Sequence, residues 1–349
     1  MLLVIWRVSL MWPGQCEHVS AIPPPGCSAH TVRVGLSWLG EPTVAALRIA
    51  LRAVEPDLAD GTIVPRGLEP SDDPRGCKAS AVVGGRFVVK FAWSRPAALR
   101  VLHQAQVLDA LRAAAPWLPL PPVVAVSRDP VMLVLRWVPA TPFFQVRHLI
   151  GPAVRDRVAQ DLATVLAGLH DPGVLRAVAA AAGPPPEPAA YPTATTDTLR
   201  ARFGALVRPE QEDRVLTWCD WADTTLTAPG RTVLAHGDFH GDNHLWDPGT
   251  LRLRLVIDLE TADAGEPEFD LRCLPGDCGT ELFTATVACY ERLTGTTLDV
   301  DRIMAWHLRT VLGDALWRTE AGIPLPDRRT PEQWVGDLNA RFAALGTFG

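Results

Sequence analysis

Apolar residues recur along this chain with two different periods, and the change of period divides it. From Glu41 to Val54 the apolar positions Val44, Leu47, Leu51 and Val54 fall on one helical face. Ala81–Val83 and Arg86–Ala92 follow as short β-rich runs joined by Gly84-Gly85, the pattern of a hairpin. Pro96 opens a helix through Ala115, with Leu99, Leu102, Ala105, Val107, Leu108 and Leu111 apolar, and Pro116 ends it. Two further strands, Val123–Ser127 and Val131–Val138, turn at Arg128-Asp-Pro130, and Pro139 stops the second. Residues 60–138 therefore read as strands, a helix and strands, a small α+β lobe.

Beyond residue 139 the period becomes helical. Val158, Leu162, Val165, Leu166 and Leu169 mark a helix over Val154–His170, which ends at Asp171-Pro-Gly173. Ala177–Pro192 is rich in Ala and Pro and reads as a linker or exposed loop. Helices are predicted over Thr196–Val207, Pro209–Thr227, 280–294, 301–319 and 331–345. The expected organisation is a loosely attached, poorly ordered extension over 1–40, an N-lobe over 41–138 and a C-lobe over 139–349.

Composition narrows the function classes. With 349 residues, 48% hydrophobic and 21% charged, the chain is globular rather than disordered. A net charge of −6 with no basic block argues against nucleic acid as a partner. The apolar start, Met1–Trp12, is interrupted by Arg7, is too short to span a bilayer and lacks the features of a secretory signal. Seven scattered cysteines, an odd number, read as reduced thiols of a cytoplasmic protein. Of the 33 basic residues only Lys78 and Lys90 are lysines, so these two positions call for a compact ammonium group.

The chemistry concentrates in Leu234–Trp246, where two apolar runs flank His236, Asp238, His240, Asp242, Asn243 and His244. So many polar groups in one turn add nothing to packing, and they point to a cleft that holds a cation or moves a proton. Asp258 follows the apolar run Leu253–Ile257, and a strand–turn–strand would return it beside Asn243. An amide oxygen and a carboxylate there suit magnesium bound with phosphate, while Asp238 is placed to accept a proton from an attacking hydroxyl. Lys90, mid-strand among Val88, Val89 and Phe91, is the candidate cation for a nucleotide's phosphates. The spacing of His236, His240 and His244 leaves a zinc-dependent hydrolase as a competing reading. Glu260, Asp263, Glu266, Glu268, Asp277 and Glu281 form either an acidic pocket for a cationic acceptor or a solvated loop.

Taken together, His236-Gly-Asp238-x4-Asn243, Ile257-Asp258-x-Glu260 and Gly265-Glu-Pro-x-x-Asp270-Leu resemble the aminoglycoside phosphotransferase family. The resemblance extends from about residue 60 to 345 and includes Asp161-Leu-x3-Leu-x-x-Leu-His170 and Tyr290-Glu-Arg-x-x-Gly295. It implies a bilobal protein-kinase-like fold with a small β-rich N-lobe and a larger, mostly helical C-lobe. It implies transfer of the γ-phosphoryl group of ATP or GTP to a hydroxyl of a small molecule, such as an aminoglycoside, another antibiotic or an amino sugar. By position, Asp238 would be the base, Asn243 and Asp258 the magnesium ligands, and His236 and Asp270 braces of the catalytic loop. Lys90 would contact the α- and β-phosphates, backbone near Ser80 would cover them, and Arg136, Trp137 and Val138 would form the hinge that reads the base. Glu260, Asp263, Glu266 and Glu268 are the candidate acceptor-binding residues. Two departures stand out: Gln104 occupies the usual glutamate position, and Pro74–Ser80 is not glycine-rich. Gln104 keeps a nucleotide-binding pseudokinase or regulatory module open as an alternative.

Overall fold

The computed structural model describes residues 35–68, 71, 73–186 and 194–348. Most of the 1–40 extension and the end of the 177–192 loop lie outside the described residues. The chain divides into two compact units, one comprising residues up to Ala105 with Pro122–Trp137, the other Gln106–Pro121 with Val138–Gly349.

The first unit is a five-stranded antiparallel sheet: β1 (Ile63–Arg66), β2 (Lys78–Val83), β3 (Phe87–Ala92), β4 (Val123–Arg128) and β5 (Val131–Arg136), in the order β1-β2-β3-β5-β4. The Gly84-Gly85 hairpin forms as its sequence dictates, both glycines having positive φ. Alternation along β2 and β3 sends Ala79, Ala81, Val83, Phe87, Val89 and Phe91 to one face, where they bury Leu47 and Leu51 of helix α1 (Val44–Val54). The opposite face carries Lys78, Ser80 and Lys90, none of them fully buried, with Ser80 directly across from Lys90. β1 was hidden in the sequence by Pro65, a residue tolerated there because β1 is an edge strand. β5 ends at Arg136, two residues before the predicted end.

Helix α2 (Arg95–Ala114) is buried nearly all round, with Arg100, His103 and Gln104 among its hidden side chains. That explains why its sequence shows no narrow apolar stripe.

The second unit is mostly helical. Helix α3 (Pro152–Leu169) matches the expectation, but the chain does not then loosen: α4 (Pro172–Ala182) follows at once. Asp171 accepts from the N–H groups of Gly173 and Val174, Pro172 fills the first turn, and the alanine run propagates the helix to Gly183. The expected loop over 177–192 is thus corrected in its first part. The next segment is helical only over α5 (Thr196–Arg202) before tightening into a 3-10 turn. α6 (Pro209–Leu226) completes this group, with Trp218 fully buried.

Small sheets then frame the polar turn. β6 (Thr141–Pro142), β8 (His244–Trp246) and β9 (Leu253–Val256) form one, and β7 (Val233–Ala235) pairs with β10 (Asp263–Gly265) in another. A short helix α7 (Pro267–Leu271) follows, then α8 (Gly279–Thr294), α9 (Val300–Glu320) and α10 (Pro331–Leu345).

Candidate active site

The polar turn His236–Asn243 leaves β7 and enters β8, so both of its ends are fixed by sheets. Gly237 has φ 82°, and a Cβ there would lie 2.7 Å from the Thr261 carbonyl oxygen, so only glycine fits. The fully buried Asp270 accepts from the His236 N–H through Oδ2 at 2.7 Å and from the Gly237 N–H through Oδ1 at 2.8 Å. Burial alone would raise the Asp270 carboxyl; the His170 ring 3.1 Å away and these amides outweigh it and lower it instead. His170 in turn meets the Tyr290 hydroxyl at 3.0 Å, and Arg231 donates to that hydroxyl at 2.7 Å.

His236 ties this turn to the next strand. Its Nδ1 accepts from the Asp238 N–H at 3.2 Å, which leaves the ring proton on Nε2 for the Ile257 carbonyl, 2.9 Å away. Thr261 Oγ1 donates to the His236 carbonyl at 3.0 Å.

Asn243 donates through Nδ2 to the Asp238 carbonyl at 2.8 Å and to its carboxylate Oδ2 at 3.1 Å. With the amide nitrogen facing Asp238, its oxygen points the other way. The Asn243 carbonyl accepts from the Ile257 N–H at 2.9 Å, so the β8–β9 register brings Asp258 just past Asn243. Asp258 itself has φ 68° and ψ 48°, a left-handed conformation that turns the chain out of β9 and that aspartate tolerates better than most residues. An amide oxygen and a carboxylate drawn from these two neighbouring positions would suit a hard cation such as magnesium better than zinc.

Burial works against a charge on Asp238. His240, 3.4 Å from Oδ2, and Arg272, 3.9 Å from Oδ1, more than offset it and hold the carboxyl well below the usual carboxylate range. The same carboxylate overcomes the burial of His240 and lifts that ring to about 9. Asp277 closes the far side of the turn, accepting from the Gly241 N–H at 2.9 Å, and burial pushes it up to about 6. Gly241 leaves room for the Phe144 ring, which a Cβ would meet at 2.9 Å.

The three histidines do not converge. His244 is stacked on Phe239, fully buried and held neutral by burial down to about 3, while His236 is spent on Asp238 and Ile257. Among the described residues no group of three or more His, Cys, Asp and Glu is arranged to hold a metal ion. The zinc-hydrolase reading is therefore withdrawn.

The acidic cluster also comes apart. Glu266 is engaged by Arg302, through Nε at 2.9 Å and a terminal nitrogen at 2.6 Å, and by the Trp306 indole N–H. Glu268 is buried, which raises its carboxyl, and it accepts from the Asp299 N–H at 3.4 Å. Both therefore brace α9, and Glu266 also lines a pocket with Arg231, Arg302 and Trp306. Glu281 pairs with Arg155, and Asp263 accepts from the Ala264 N–H. Glu260, in the 3-10 turn after Asp258, keeps partial exposure.

In the first unit, Gln104 is buried and, among the described residues, its Oε1 has no hydrogen-bond partner, so this oxygen does not hold Lys90. The exposed Arg136 lies over the Phe87 ring, 5.6 Å from its centroid, and its N–H is spent on the Pro122 carbonyl, as that of Trp137 is on Arg86. The loop before β2 is a 3-10 turn pinned by Asp73, which accepts from the Arg75 N–H at 2.9 Å, and by Ser94 Oγ on the Pro74 carbonyl.

With this geometry in view, the chain can be set beside known proteins. The model of the phosphotransferase enzyme family matches residues 78–322. The chain belongs to that family. Viomycin phosphotransferase of Streptomyces vinaceus is 31% identical over 217 residues, 59% of this phosphotransferase and 73% of the relative. The GDP complex of wild-type aminoglycoside 2'-phosphotransferase-IIIa superposes with a TM-score of 0.60 at 17% identity, over 86% of this chain and 97% of that one. Macrolide 2'-phosphotransferase type I gives 0.57 at 20% identity, over 86% and 97%. The phosphotransferase thus has the kinase-like fold that its motifs implied. Membership of an enzyme family, with the His-Gly-Asp-x4-Asn turn complete, favours the phosphotransferase over the pseudokinase alternative that Gln104 suggested. No described helix is long and apolar enough to cross a membrane.

Sequence reasoning missed Arg272, which is fully buried beside Asp238, and the links that run from Asp270 through His170 to Tyr290. His170 and Tyr290 lay inside quoted motifs but without a role; Arg272 carried no signal beyond following Asp270.

Proposed function

We propose that this phosphotransferase moves the γ-phosphoryl group of ATP or GTP to a hydroxyl of a polar antibiotic, viomycin being the first acceptor to test. The observation that carries the reading is the fixed carboxylate of Asp238. Its Oδ2 is held by Asn243 and faces His240 at 3.4 Å, while among the described residues Oδ1 has no close hydrogen bond, Arg272 standing 3.9 Å from it. An acceptor hydroxyl docked on Oδ1 would be oriented for in-line attack and would hand its proton to Asp238 as its O–P bond forms and the bond from the γ-phosphorus to the departing ADP or GDP oxygen breaks. A carboxyl held low is a weak base, which suits a loose transition state where the proton leaves late.

Asn243 and Asp258 would hold magnesium, which when bound neutralises phosphate charge. Lys90, with the Ser80 hydroxyl across from it, would meet the α- and β-phosphates, and the carbonyls near Arg136, Trp137 and Val138 would read the base. His236 and Asp270 would brace the turn. Among the acidic residues, Glu260 and Asp263 remain as acceptor contacts, and a cationic acceptor fits their charge. The 31% identity with viomycin phosphotransferase supports the choice of first acceptor.

The test is transfer from γ-labelled ATP and GTP to viomycin, aminoglycosides and macrolides, with Asp238→Ala beside the wild type. Label should reach the acceptor with wild type only, and the variant should keep its fold and its nucleotide affinity. Turnover retained in Asp238→Ala would remove the assignment of the base, and no transfer to any of these acceptors would remove the antibiotic reading.

A further inference from the structure

Arg272 is a cation with almost no access to solvent, its side chain 1% exposed, and its position is built with care. One terminal nitrogen donates to the Gly237 carbonyl at 3.0 Å and stands 3.9 Å from Asp238 Oδ1. The other donates to the Phe269 carbonyl at 2.8 Å, and the guanidinium lies over the Phe269 ring, 3.7 Å from its centroid. The backbone behind it is fixed as well. His307, held neutral by burial and by Arg341, lies with Nδ1 2.6 Å from the Arg272 carbonyl and Nε2 3.3 Å from an Arg341 nitrogen. Nδ1 is therefore the donor and Nε2 the acceptor of that ring.

A purely structural account leaves part of this unexplained. Nε of Arg272 is buried with no hydrogen-bond partner, and an apolar side chain on Phe269 would avoid that penalty. What an apolar side chain could not supply is a donor to the Gly237 carbonyl and a charge beside the base. The two ends of the Gly237 residue are held by neighbours in sequence, its N–H by Asp270 and its carbonyl by Arg272. Asp238 follows directly. Its two carboxylate oxygens face different partners, Oδ2 toward Asn243 and His240 and Oδ1 toward Arg272.

We propose that Arg272 is a positioning residue for the transfer reaction, orienting the Asp238 carboxylate so that Oδ1 presents to the acceptor hydroxyl. This rests on the reading of Asp238 as the base. At 3.9 Å the guanidinium attracts Oδ1 without occupying it through a short hydrogen bond, so the oxygen keeps a lone pair for the incoming proton. Arg272 acts on the rate of transfer and leaves the binding of both substrates unchanged.

The experiment measures kcat and both KM values for wild type, Arg272→Met, Arg272→Lys, Asp238→Asn and the Asp238→Asn/Arg272→Met double variant, with thermal unfolding of each. Arg272→Met should lose about 10- to 100-fold in kcat, the scale for removing a residue that orients another. The KM values for nucleotide and acceptor should stay near wild type, the mark of an interaction made for the transition state. Arg272→Lys should recover part of kcat, since it keeps the charge and loses the fork. In the Asp238→Asn background, Arg272→Met should remove nothing further from the residual rate. Unchanged kcat, a loss confined to KM, or an equal further loss in the double variant would each overturn the role of Arg272. If Arg272→Met does not fold, Arg272→Lys decides, a wild-type kcat counting against the proposal. Wild-type turnover in Asp238→Asn would instead overturn the base assignment on which the proposal rests.

Discussion

At Gly237 the turn has no room for a side chain and no choice of backbone conformation. Its φ of 82° and the Thr261 carbonyl 2.7 Å from a would-be Cβ act together, since relieving one leaves the other. Gly237→Ala should therefore lower stability by about 1–3 kcal/mol, the range for a strained backbone residue, and also reduce transfer. Urea unfolding of the two proteins measures the first effect and the labelled-phosphate assay the second; an unshifted urea midpoint would contradict the steric account. Much of this turn could be read from residue identities, because Asp238, Asn243 and Asp258 are polar where packing asks for apolar groups. Arg272 and Asp277 could not. Their significance depends on which atoms they reach, and nothing in the order of residues places Arg272 3.9 Å from Asp238 or Asp277 on the Gly241 N–H. The partners of Glu266 and Glu268 were hidden for the same reason. Their charges are visible in sequence, but Arg302 and Trp306 stand some forty residues away and take up the first.

Elements differ in how much of their cause is local. The hairpin at Gly84-Gly85 and helix α3 were legible because the two glycines and the apolar stripe each suffice to specify them. Helix α4 was misread where an alanine run looked like a loop, although Asp171 and Pro172 supply a start signal. β1 was missed because Pro65 argues against a strand unless its place at the edge is known. The C-terminal helix α10 shows how such local signals act: Thr330 accepts from the Gln333 N–H, and Gln333 Oε1 accepts from the Thr330 N–H. Thr330→Ala should cost about 1 kcal/mol through loss of this capping box. A small fall in Tm with kcat unchanged is expected; a fall in kcat of the same variant would show that α10 matters to the site.

For the whole molecule, the buried neutral His307 links stability to pH. Burial is the larger cause, with Arg341 adding to it, and together they press its pKa down to about 3, from 6.5 for a free ring. Below about 6.5 the unfolded chain takes up a proton that the folded chain refuses, so this group's contribution is complete above that pH and shrinks as pH falls toward about 3. His307→Gln should flatten that part of the stability curve in urea titrations between pH 7 and 4. An identical slope in both proteins would mean that the ring is not held neutral. The placing of the candidate residues in the two units was partly legible. Both lysines lie on the one sheet face that includes Ser80, and the His-Gly-Asp turn belongs to the helical unit. A last consequence concerns length rather than composition. The five residues of α7 end one position before Arg272, and the helix carries Asp270, so both grips on Gly237 come from a single helical turn. Inserting or deleting one residue there would rotate one grip by about 100° relative to the other. Relatives that keep Asp270 and Arg272 should therefore hold the segment between them to a fixed count.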